Sequence, residues 1–78
     1  MWTLITNCDK QLTVQSVVRE KVNETYKEYI IANVEFDQFH LELASFDGEL
    51  TAKKQHNTLT CAQLKQYGFE VKIEEERL

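Results

Sequence analysis

Proline is absent from the 78 residues and glycine occurs only twice. A Pro-rich linker or flexible Gly/Ser joint therefore has no material. Two glycines cannot build a loop that cradles phosphate, and none of G-x-x-x-x-G-K, G-x-G-x-x-G or G-x-S-x-G occurs. Long apolar runs are missing as well. The longest, Tyr29-Ile30-Ile31-Ala32, is far short of a helix that spans a bilayer. The opening Met1-Trp2-Thr3-Leu4-Ile5-Thr6-Asn7 carries neither a basic segment nor a small-residue cleavage site. These features predict a cytoplasmic protein with no membrane partner, in which Cys8 and Cys61 stay reduced.

Positive charge is also scarce. Nine Lys and Arg stand against thirteen Asp and Glu, for a net charge of −4, and Lys53-Lys54 is the only adjacent basic pair. A surface that displaces counterions from phosphates needs clustered bases, so the composition argues against nucleic acid as a partner. What is present suits a folded chain: 42 % apolar and 28 % charged residues, close to the globular norm. The length supports one modest core, and we expect a single domain over 1–78 with the last three or four residues frayed.

The C-terminal third has the clearest pattern. Thr60 and Gln63 have capping-box spacing, and Leu59 and Leu64 have that of a hydrophobic staple. Gly68 fits the left-handed position after a helix, with Phe69 placed to touch Leu64. These signals predict a short helix over 61–67. Alternation in Phe69-Glu70-Val71-Lys72-Ile73-Glu74 predicts a strand over 69–75. Asp47-Gly48 is a hairpin signal between arms 39–46 and 49–54. In that register Leu41 and Leu43 share one face, while Glu42 and Phe46 lie on the other.

Residues 12–36 read in two ways. As a helix, Val14, Val17, Val18, Val22, Tyr26 and Tyr29 cover half the wheel. As strands, Leu12, Val14, Val18 and Val22 alternate, followed by Tyr26, Ile30, Val34 and Phe36. A turn at Asn23-Glu24 then sets Glu20 opposite Lys27 and Arg19 opposite Glu28, two attractive pairs. The Val, Thr, Tyr and Ile content favours strands. The predicted fold is α+β: an antiparallel meander of about five strands over 1–54, one short helix over 61–67 and a C-terminal strand over 69–75. Turns are expected at Cys8-Asp9-Lys10, Asn23-Glu24, Asp37-Gln38 and Asp47-Gly48. The alternative is β-α-β-β-β-α-β with a first helix near 13–29.

Few residues point to chemistry. Cys8, His40, His56 and Cys61 are the right types for zinc, but no two of them have the close spacing that a single turn would present. Both histidines are expected in solvated positions. Cys61 at a helix start is the single hint of an activated thiol, and burial opposes it. The carboxylates alternate with apolar residues, which places them on wet faces rather than in a desolvated acid–base pair. The sequence thus predicts no catalytic residue, no cofactor and no metal.

The expected function is a small, acidic, non-enzymatic module that regulates or inhibits a protein partner, through a sheet face or an edge strand, with self-association through an edge as the equivalent case. Candidate contact residues are Phe46, Glu42, Glu70, Glu74 and Glu75. The alternatives are an acidic mimic that blocks a nucleic-acid-binding protein and, at lower weight, a small hydrolase. Compactness, acidity and scarcity of motifs resemble, in type, the small accessory proteins of phage and mobile elements.

Overall fold

A computed structural model describes residues 1–46 and 56–73, with Ser45 and Phe46 described as backbone only. Among the described residues, six antiparallel strands form one sheet, accompanied by two short helices. In chain order these are β1 (Trp2–Leu4), α1 (Cys8–Gln11), β2 (Val17–Val22), β3 (Thr25–Glu35), β4 (Gln38–Phe46), β5 (Thr58–Thr60), α2 (Cys61–Gln66) and β6 (Glu70–Lys72). The α+β reading holds, and residues 17–35 are strands, so the alternative first helix near 13–29 is not formed.

The β2–β3 hairpin has the expected register. Glu20 pairs with Lys27 and Arg19 with Glu28, around Asn23 at φ 58°, a left-handed conformation that asparagine tolerates better than most residues. The buried side of β3 differs from the stripe seen in the sequence. Tyr29 and Ile31 are buried, while Tyr26 and Ile30 lie on the exposed side; beyond a bulge after Ile31, Val34 stands opposite the core residue Phe39. Both stripes of β3 are apolar, and its pairing with β2 decides between them, because Val18, in the core, stands opposite Tyr29. On β4, Leu41 is buried and Leu43 packs against the core, with Glu42 on the opposite face, as expected. The hairpin turn falls at Phe36-Asp37, one residue earlier than predicted, since Glu35 pairs with Gln38. The Asp47-Gly48 turn and the arm over 49–54 lie outside the described residues.

The C-terminal signals all appear. The Thr60 hydroxyl accepts from the Gln63 N–H at 3.2 Å, and Gln63 Oε1 accepts from the Thr60 N–H at 2.9 Å. Gly68 has φ 73°, and the Phe69 N–H donates to the Leu64 carbonyl at 3.1 Å, which completes a Schellman ending. Leu59, Leu64 and Phe69 are all buried.

Two features were not anticipated. Cys8–Gln11, expected as a turn, is a single helical turn capped by Asn7, whose side chain accepts from the Lys10 N–H. Gln11 Oε1 accepts the Thr6 and Asn7 N–H groups at 2.7 Å each, which satisfies donors at the turn's entry. The meander is also interrupted: strand order is β1-β6-β2-β3-β4-β5, so the last strand lies between the first two. Trp2 pairs with Lys72 on one side of β6, and Val18 pairs with Val71 on the other.

The core unites Ile5, Cys8, Leu12, Val18, Tyr29, Ile31, Phe39, Leu41, Leu59, Leu64, Phe69 and Val71. Both helices therefore contribute to the same side of the sheet. The expectation of reduced cysteines is corrected: Cys8 and Cys61 form a disulfide across 53 residues, joining α1 to α2. Sequence spacing gives no sign of such a pair, because the fold brings the two helix starts together.

Closing a loop of this length removes denatured-state entropy worth about 4 kcal/mol, a large part of the total stability of a small domain. Replacing both cysteines by alanine is expected to lower unfolding free energy by about that amount, measured by urea titration. A loss below about 1 kcal/mol would show that the bridge constrains little.

Candidate functional site

Among the described residues the outer sheet face carries neither helix. Its centre is Arg19 on β2. The guanidinium carbon lies 3.8 Å from the Tyr26 ring centroid and 4.3 Å from that of Trp2. Arg19 Nε donates to Glu70 Oε1 at 2.7 Å. The sheet explains this assembly. β6 lies between β1 and β2, so Trp2, Glu70 and Arg19 come from three adjacent strands. Tyr26 is the diagonal neighbour of Arg19 across the β2–β3 hairpin. A planar guanidinium can stack on rings while its edge bonds a carboxylate, which a lysine cannot reproduce.

Around this centre lie half-buried Val17 and exposed Ile30, with Leu4 at the β1 end. Glu28, Glu42 and Lys72 add charge at the rim, Glu42 standing opposite Ile30. Trp, Tyr and Arg are the residues that most often dominate binding energy at protein interfaces. The surface offers stacking area and an oriented charge pair.

The predicted contact residues divide. Glu70 joins the centre as the partner of Arg19, and Glu42 lies at its rim. Phe46 ends β4 opposite Lys27, and its side chain lies outside what the structure describes. Glu74 and Glu75 lie outside the described residues, as does Lys53-Lys54. Sequence reasoning missed Trp2, Arg19, Tyr26 and Ile30. The hairpin register already placed Arg19 near Tyr26, but nothing local signals that β6 carries Trp2 and Glu70 to them.

The inner side holds a second polar group. His56, expected in a solvated position, is partly buried, with Nε2 at 3.1 and 3.3 Å from the two carboxylate oxygens of Glu20. The ring stacks on Tyr67 with centroids 5.4 Å apart. The His56 backbone N–H donates to the Tyr29 hydroxyl at 3.3 Å. Burial pushes the Tyr29 phenol above its usual range; the His56 N–H opposes this and the Glu20 charge adds to it. Lys27 is also buried on this side, at 3 % exposure. Glu20, His56 and Tyr29 were expected as ordinary face or core residues, and the structure makes them one bonded cluster.

Glu20 orients the His56 imidazole. Among the described residues no Ser, Thr or Cys bonds the His56 ring, and both cysteine sulfurs are bonded to each other. Among those residues no group of three His, Cys, Asp or Glu is placed to hold a metal ion. Nor is any helix there long and apolar enough to cross a membrane. No protein-family model, no curated protein and no solved structure matches the chain.

Two outcomes test these clusters. A phenol whose folded pKa is raised holds its proton more tightly in the native state, so its contribution is complete below the unfolded value near 10 and is lost as pH rises through the folded value. Between pH 9 and 11.5, wild type is expected to lose more unfolding free energy than Tyr29→Phe, measured by urea titration; parallel losses would remove Tyr29 as the titrating group. Arg19→Lys is expected to cost about 1–2 kcal/mol through lost stacking, and an unchanged urea midpoint would show that the rings contribute nothing.

Proposed function

We propose that this chain is a non-enzymatic recognition module that docks a protein partner on the outer face of its sheet. The observation that carries this reading is the Arg19 centre: a guanidinium held between Trp2 and Tyr26 and fixed by Glu70. A pre-ordered aromatic–arginine surface binds at low entropic cost, because its side chains are already immobilised. Exposed Ile30 and Tyr26 supply apolar contact area beside it. Glu28, Glu42 and Glu70 against Arg19, Lys21 and Lys72 leave the face balanced in sign, which suits a mixed-charge protein surface. The same balance weighs against the nucleic-acid mimic, which needs a dense array of negative charge.

Regulation or inhibition by occlusion is the mode of action this surface fits, since its stacked rings, apolar side chains and paired charges offer broad contact area. The paired cysteines support residence in an oxidising compartment over the cytoplasm, because a reducing environment would open the bridge.

The test is crosslinking in the native host followed by mass spectrometry, with Ile30→Glu and Glu42→Lys as disruptive variants and Lys10→Glu, on α1, as control. One partner should be recovered by wild type and the control and lost at least about tenfold with the disruptive pair, whose circular dichroism should stay native. Equal recovery by all three would refute docking on this face.

A further inference from the structure

Phe36 is the most exposed large apolar residue described, at 99 % exposure, and its backbone has φ 54°. Both facts oppose local stability. A bulky residue in the left-handed region is strained, and its ring gains nothing from the core. Beside it opens a groove of about 440 Å³, which the Phe36 ring borders but does not fill. The groove floor includes the Cys8–Cys61 disulfide, Leu12 and Phe39, and its walls include Asp9, Asp37 and Lys65.

We propose that Phe36 is the anchor of a symmetric homodimer, in which each copy's hairpin tip enters the other's disulfide-floored groove. A knob adjacent to a hole on one surface is self-complementary under a two-fold rotation, which is the requirement of an isologous interface. Space is ample, since a cavity of about 150 Å³ accommodates a benzene ring. Charge fits the same occupant. Phe36 is flanked by Glu35 and Asp37, and Lys65 stands in the groove wall. Neither Asp37 nor Lys65 is in an ion pair among the described residues. Two-fold pairing gives each Asp37 a Lys65 of the other copy, twice over. An anionic membrane surface, the other natural target of an exposed ring, is repelled by Asp9, Glu35 and Asp37 together. This interface lies apart from the Arg19 face, so it stands or falls independently of the proposed function.

The test is analytical ultracentrifugation of the oxidised full chain from low micromolar to millimolar concentration. Wild type should show a monomer–dimer equilibrium. Phe36→Asn suits the left-handed turn better than phenylalanine and should raise the dissociation constant by at least about thirtyfold. Lys65→Glu and Asp37→Lys should each weaken association by about fivefold, and the double variant should restore it. A wild type that stays monomeric to millimolar concentration overturns the proposal. So does a dimer that survives Phe36→Asn, or one broken by Ile30→Glu instead, which would move association to the outer sheet face.

Discussion

The position of β6 is the constraint on which the other contacts depend. Inserting β6 between β1 and β2 joins the first described residues to the last, with Met1 bonded to Ile73 across 72 residues. Phe69 and Val71 enter the core from this strand, and Glu70 faces the other way to meet Arg19. If β6 left the sheet, β1 would lose its only strand partner among the described residues, and Trp2 would lose the position from which it covers Arg19. The buried face and the outer Arg19 face therefore rest on the same three residues, Glu70–Lys72. Contacts this distant in sequence form only after long loops close, so the ends are expected to order late in folding.

One-sided packing follows from the same arrangement. α1 and α2 each bring a buried residue, Cys8 and Leu64, to the inner face, and the disulfide locks the helix starts together. With two such short helices on one side, the opposite side of the described sheet has no cover. Its apolar side chains are not loose, because Arg19 stacks Trp2 and Tyr26 and is itself held by Glu70. A cation between two rings thus gives that side part of the order that a packed layer would otherwise supply.

What the sequence made legible was local. The Thr60–Gln63 box, Gly68 and the Asn23-Glu24 turn each depend on residues within a few positions of one another, and each appears where its chemistry requires. The buried stripe of β3 was not legible, because Tyr29 with Ile31 and Tyr26 with Ile30 are equally apolar and only the partner strand selects between them. The small α1 was hidden for another reason. Its cap comes from Asn7, but Gln11 must also bend back to the Thr6 and Asn7 amides, an arrangement that no spacing rule announces. Of the candidate contact residues, Glu42 and Glu70 were placed on the outer face by strand alternation alone. Trp2 and Arg19 were missed, since their meeting requires β6 between them.

The disulfide changes what the remaining residues need to do. A chain of 78 residues has a core that supplies little net stability by burial alone. A cross-link worth about 4 kcal/mol lets that core be small, and the buried set is indeed concentrated on one side of the sheet. Trp2, Tyr26, Ile30 and Phe36 are then not required inside. Were stability the sole demand, solvated side chains would serve at the last three positions, and asparagine would relieve the left-handed backbone at Phe36. An exposed aromatic in a strained turn and a ring-stacked arginine on an open sheet are what a scaffold stabilised by its cross-link can hold outward. Both are arrangements that gain free energy when another surface covers them.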